Sequence, residues 1–322
     1  MNELQYAFAV ARIRYNEMKL LKDKDFEQLI SASDIDEALG KLGETGYQAT
    51  QYGDLKDVFN KEAMKAWSLL LEIAPDNSLL DVFGVLNAFH NLKSALKSRV
   101  SGSDSGPYYL LPSCVEISLI DEAVGKNDFS ILPEYMCQVA QISYRIMTEN
   151  ADGQLGEAYI DKAALDIFKK FAEKTDCPEV IRVANFKCAA ADIKIAYRGC
   201  LTGKNKEFYD ASLCPCEQFD ITLLVSAALE GKEELLDYLK TTSYKDAAGL
   251  LAGDFVAFEK WCDDSVMDII RTAKAEPFGF APLAAYWIAK ETELKNVRMI
   301  MSAKQNGFSE DSIFERMRKL YV

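Results

Sequence analysis

Apolar side chains recur at intervals of three and four along almost the whole chain, the spacing of a helix face buried against its neighbours. Tyr6, Val10, Ile13 and Leu20, with Glu17 in register, set the pattern and predict a first helix over residues 2–22. Asp25 and Asp34 are placed to cap two short helices that end near Gly40 and Gly43. Longer helices are expected over 54–73, where Ala74-Pro75 stops the run, and over 78–100. Others follow over 113–124, 132–149, 153–174 and 178–198, the last opening on Pro178, whose missing N–H costs nothing in a first turn. The remaining helical stretches read 217–230, 233–240, 244–251, 254–274, 282–305 and 309–320. No run of alternating apolar and polar residues is long enough to make a strand. The expected fold class is all-α.

Three of these helices carry one signature. Asn91-Leu92-Lys93 precedes Gly102, Asp192-Ile193-Lys194 precedes Gly203, and Asn296-Val297-Arg298 precedes Gly307, with the glycine nine positions after the base each time. The copies are 101 and 104 residues apart, too far for a solenoid unit and suited to a small helical subdomain used three times. The Gly/Ser-rich run 101–107 and the segment 204–213 supply the divisions, giving expected subdomains 1–106, 107–209 and 210–322. Three similar units point to a pseudo-symmetric scaffold more than to a single catalytic cleft.

The 322 residues are 49% hydrophobic and 27% charged, an ordinary soluble balance, and the net charge of −13 is the wrong sign for a nucleic-acid face. Eight cysteines are scattered through apolar helical stretches and read as reduced thiols. Only Cys214-Pro215-Cys216 is closely spaced, and a lone pair of thiols falls short of a zinc ligand set. The longest apolar stretch, 278–289, is broken by Pro282 and is shorter than the ~20 residues that span a bilayer. Met1-Asn2-Glu3-Leu4 lacks the positive start of an export signal. The expected location is cytoplasmic, with only peripheral contact with a membrane complex.

The bases of the signature, Lys93, Lys194 and Arg298, are joined further along the same helices by Lys97, Arg198 and Lys304. These six are the candidate partner interface, suited to holding an acidic or amphipathic terminus through charge-assisted hydrogen bonds. The alternative is that they sit on solvated faces or lock each helix to its own subdomain. His90, the single histidine, reads as structural. Asp263, Asp264 and Asp268 have the clustering with which aspartates on a helix hold Mg²⁺, which opens an alternative reading as a Mg-dependent all-α enzyme, although no second metal motif accompanies them. No phosphate-cradling G-x-x-x-x-G-K-[ST] loop, G-x-S-x-G elbow or H-E-x-x-H pair occurs, and neither a cofactor nor a catalytic residue is expected.

The run from Tyr286 through Asn296-Val297-Arg298 to Gly307 and the ending Ile313-Phe314-Glu315-Arg316-Met317-Arg318-Lys319-Leu320-Tyr321-Val322 resemble the closing segment of the C subunit of V-type/A-type ATP synthases, the prokaryotic relative of the d subunit of the vacuolar ATPase. The opening Tyr6-Ala7-Phe8-Ala9-Val10-Ala11-Arg12-Ile13-Arg14 and the other two triplets agree with it. The resemblance spans essentially the whole chain and is least typical over 101–112 and 204–220. It implies a funnel of three similar helical subdomains in pseudo-threefold array. Such a funnel would stand on the membrane rotor ring and receive the foot of the central stalk, with no catalytic residues or cofactor of its own. The implied function is that of a rotor component that couples stalk rotation to proton or sodium translocation. A soluble helical adaptor or scaffold with no rotor link is the alternative.

Overall fold

A chain of amphipathic helical segments can hide its apolar faces only by packing helix on helix. The computed structural model describes residues 3–48, 55–102, 109–149 and 152–322. In chain order the helices are α1 Glu3–Glu17, α2 Asp23–Ser31, α3 Ile35–Glu44, α4 Leu55–Ile73, α5 Asp81–Ser101, α6 Ile117–Lys126, α7 Glu134–Glu149 and α8 Gly153–Lys174. They continue with α9 Pro178–Leu201, α10 Lys206–Ser212, α11 Ile221–Glu230, α12 Lys232–Lys240, α13 Lys245–Gly253, α14 Phe255–Ile270, α15 Ala281–Gln305 and α16 Glu310–Arg316. No strand occurs among the described residues, so the all-α expectation holds.

The helices gather into two units, one of Met1–Asn77 with Phe255–Val322 and one of Ser78–Asp254. The first is built on α15, of which residues 281–290 are all buried. A helix that is apolar all round belongs at a centre, so the longest apolar stretch of the sequence is a core rod. It packs against α1, α4 and α14, and its C-terminal half meets α2, α3 and α16. There Phe26, Leu29, Ile30, Leu42 and Phe59 close on Leu294, Val297, Ile300 and Met301. Nearer its start, Trp287 meets Trp67 of α4 edge-on, with ring centroids 5.2 Å apart.

In the second unit α8 packs against α5, α7, α9 and α10, while α11 and α12 lie against α9 and α13 packs on α12. Phe89, Leu92, Ile120, Met136, Ile160, Ile193, Leu224, Leu235 and Leu239 are among its buried residues. Gly84 lets α5 approach the chain ahead of α6, because a Cβ there would stand 2.6 Å from the Cys114 amide nitrogen.

Sequence and structure part mainly at helix ends. The first helix stops at Glu17 rather than near residue 22, because Leu20 and Leu21 turn inward and bury. Asp25 does not cap α2 from outside; it sits at the third helical position and accepts the Lys22 N–H at 2.8 Å, the return half of a capping box. That helix closes at Ser31, well before Gly40, and Asp34 caps α3 as expected by accepting the Glu37 N–H at 2.9 Å. The segment 204–213 is largely the short helix α10. The last helix ends at Arg316 instead of near residue 320. Most of the loop 101–107, and with it the division at 106/107, lies outside the described residues.

The three signature glycines have one explanation. Gly102, Gly203 and Gly307 have φ of +72°, +63° and +68°, the left-handed region, just where α5, α9 and α15 end. A residue without Cβ reverses the chain there at little cost.

Candidate partner interface

The polar residue of each signature triplet sits inside a helix with no side-chain exposure: Asn91, Asp192 and Asn296 are all at 0%. A buried polar side chain must find partners, and each finds the backbone of a segment roughly twenty residues downstream. Asn91 accepts the Leu110 N–H at 2.7 Å and donates to the Leu110 carbonyl at 2.9 Å. Asn296 treats Arg318 identically, accepting its N–H at 3.0 Å and donating to its carbonyl at 3.1 Å. Asp192 accepts the Cys214 N–H on Oδ1 at 2.8 Å, while its Oδ2 has no partner. Each signature helix is thus latched to the chain that follows it. Asn87, one turn before Asn91, strengthens the first latch by donating to the Pro112 carbonyl at 2.8 Å.

The six candidate cations separate by surroundings. Lys93 pairs with Asp161 at 2.6 Å and Lys97 with Glu157 at 2.9 Å, tying α5 to α8. Lys304 donates to the Ala32 carbonyl at 2.6 Å, tying α15 to the end of α2. Arg298 lies over the Phe59 ring of α4 at 5.1 Å. Lys194 is half-exposed and Arg198 exposed on α9. At least four of the six are therefore engaged within their own unit. His90 is half-buried on α5.

The aspartates weighed as a metal cluster are each matched to cations. Asp263 accepts from Lys295 at 2.6 Å and from Arg318 Nε at 3.1 Å. Asp264 takes the Lys319 N–H at 2.7 Å and Lys260 Nζ at 2.9 Å, and Asp268 takes Lys319 Nζ at 2.5 Å. Among the described residues no three His, Cys, Asp or Glu side chains converge to hold a metal ion. The trio fastens the C-terminal segment to α14.

Beneath α15 lies a buried ionic knot that the sequence pattern did not announce. Lys290 Nζ meets Glu293 at 2.6 Å and Glu62 of α4 at 3.4 Å, and Glu293 also accepts the Tyr47 hydroxyl and the Leu21 N–H. Burial first, and then the Glu293 carboxylate, push the Tyr47 phenol well above its ordinary pKa, so it remains a donor. Beside this knot is a cavity of about 570 Å³ whose lining includes Arg12, Tyr15, Lys19 and Lys65. On α1, Phe8 and Tyr15 stand 63% and 55% exposed, opposite the buried Tyr6, Val10 and Ile13, and Met18 just past its end is 65% exposed. The signal was in the sequence, since α1 is apolar on two faces where a surface helix needs one.

Against known proteins, residues 9–316 match the family described as ATP synthase (C/AC39) subunit. The chain belongs to that family. Among its relatives is the C subunit of the V-type sodium ATPase of Enterococcus hirae, 25% identical over 96% of this chain and 97% of the relative. The C subunit of the A-type ATP synthase of Methanocaldococcus jannaschii is 25% identical over 96% of this chain and 85% of its own length. Its counterpart in Thermococcus kodakarensis is 21% identical, covering 96% and 89%. Family membership reaches across all three signature helices, and no described helix is long and apolar enough to cross a membrane.

Proposed function

We propose that this family member is the non-catalytic rotor component that joins the central stalk of a V/A-type ATPase or ATP synthase to the membrane ion-translocating ring. The observation that carries the reading is the family match over 9–316, which encloses three equivalent latched helices. A coupling piece must resist twist, and a close-packed body of long helices deforms little under load. Buried polar latches stiffen it further, because opening one exposes unpaired backbone groups.

In this reading the chain forms three similar helical subdomains in a pseudo-threefold funnel, with the divisions at 1–106, 107–209 and 210–322. Each subdomain contains one signature helix, and the first two latches brace the joints by reaching across a division. The stalk and the ring are the partners, the location is cytoplasmic and peripheral to the membrane, and the moved ion is a proton or sodium. Lys93, Lys97, Lys194, Arg198, Arg298 and Lys304 are the proposed partner contacts, with Lys194 and Arg198 foremost because both reach the surface of α9. The exposed Phe8 and Tyr15 of α1, with Met18 just past its end, give the aromatic and apolar character of an interface centre and join them.

The test is removal of this chain from the assembled complex. ATP-driven ion transport is expected to be lost while ATP hydrolysis by the detached head persists, and the chain is expected to co-purify with stalk and ring proteins. Retained transport without it would overturn the rotor role, and absence of stalk and ring from its pull-down would favour a free-standing adaptor.

A further inference from the structure

The three latches are built alike, yet one has a different chemistry. Asn91 and Asn296 each offer one acceptor and one donor, and each meets both the N–H and the carbonyl of a single downstream residue. At the same place in the second copy stands Asp192, fully buried, with Oδ1 on the Cys214 N–H and Oδ2 unpartnered. An ionised carboxylate has no donor to give. It would leave one oxygen and its charge stranded in the interior, which is costly.

We propose that Asp192 keeps a proton in the folded chain and donates it from Oδ2 to the Cys214 carbonyl, completing the pair of bonds that the two asparagines make, so that this latch alone loosens as pH rises.

The surroundings favour the neutral acid. From α8 the Asp166 carboxylate faces the same pocket and accepts the Cys214 thiol at 3.1 Å, so a second negative charge would meet the first. The nearby cations on α8 are occupied elsewhere, Lys162 at the Asp210 carbonyl at 2.8 Å and Lys169 at the Pro215 carbonyl at 2.9 Å. The remaining titratable groups are thiols. Cys188 on α9 and Cys214 lie together, and the neighbouring Cys188 sulfur and burial keep the Cys214 thiol protonated, while Cys216 is raised by burial. Burial and then Asp166 raise the Asp192 carboxyl to about 7, against the lowering effect of the Cys214 N–H and the two lysines. An unfolded aspartate titrates near roughly 3.9. A carboxyl raised on folding stabilises the native state fully below the unfolded value, loses that contribution as pH climbs between the two, and changes nothing beyond.

The measurement is the melting temperature of the full chain and of Asp192→Asn from about pH 5 to about pH 8. Asparagine supplies both bonds at every pH. The melting-temperature advantage of the variant is expected to widen by about 5 °C or more from the acid end to the alkaline end, as the native carboxyl gives up its proton. A gap that stays constant with pH, or a variant that is the weaker at the alkaline end, would overturn the proposal. Should the variant not fold, the Asp192 side-chain carboxyl carbon, followed by ¹³C NMR in the unaltered chain, decides. A titration midpoint close to neutrality upholds the proton, and a resonance already ionised at about pH 5 removes it.

Discussion

Asn296 shows how much one buried amide can hold. Replacing it with Ala strips two hydrogen bonds and leaves the Arg318 N–H and carbonyl without these partners in a part-buried site. Each orphaned group costs about 1–3 kcal/mol, so Asn296→Ala is expected to lose about 2–6 kcal/mol, read as a lower denaturation midpoint at unchanged slope. An unchanged midpoint would mean that water replaces the amide. The Lys290–Glu293–Glu62 knot follows the same logic with charge. All three side chains are buried, so removing one partner would leave the others with an uncompensated buried charge. At this scale the sequence showed the triplets but not what they do. The spacing of Asn91, Asp192 and Asn296 was visible, whereas their backbone partners roughly twenty residues on could be seen only once the chain had folded back. The attached bases drew the functional reading, and at least four of the six turned out to be spent on contacts between helices or with an aromatic face.

The helices themselves were largely legible, since periodicity reports a buried stripe whatever lies opposite. Residues 153–174 and 54–73 read almost to the residue because an Asp cap opens one and Ala74-Pro75 closes the other. The C-terminal segment did not read so well. Its apolar residues suit a helix, but Arg318 is pinned to Asn296 and Asp263, Lys319 to Asp264 and Asp268, and the Leu320 carbonyl to Arg271, which holds residues 317–321 out of helical form. Those contacts are long-range and override local propensity. Truncation after Arg316 exposes Asn296 and takes a partner from each of three aspartates, besides removing buried Leu320 and Tyr321. A loss of about 4–6 kcal/mol is expected, measured by chemical denaturation of the shortened chain against the full one. A loss under about 1 kcal/mol would show that the segment only rests on α14.

For the whole molecule, the proposed coupling role predicts a separation between stability and assembly. Lys194→Glu with Arg198→Glu reverses charge at a half-exposed and an exposed position on α9 and removes no buried apolar group, so the double variant should keep its fold and helical content, checked by circular dichroism. Binding to the stalk and ring proteins is expected to weaken by about tenfold or more, and the loss should shrink as salt screens the reversed charges. Full-strength assembly by the double variant would remove these residues from the interface. What the amino-acid order determined unaided was the helical class, the threefold signature and the family, because hydrophobic period, glycine helix ends and motif spacing are all local properties written along the chain. What only the folded arrangement decided was the use of each polar group: that three buried side chains act as latches, that Asp263, Asp264 and Asp268 answer to lysine and arginine, and that one latch lacks a donor. Those roles depend on which distant groups burial brings within hydrogen-bond reach, and no local pattern encodes that meeting.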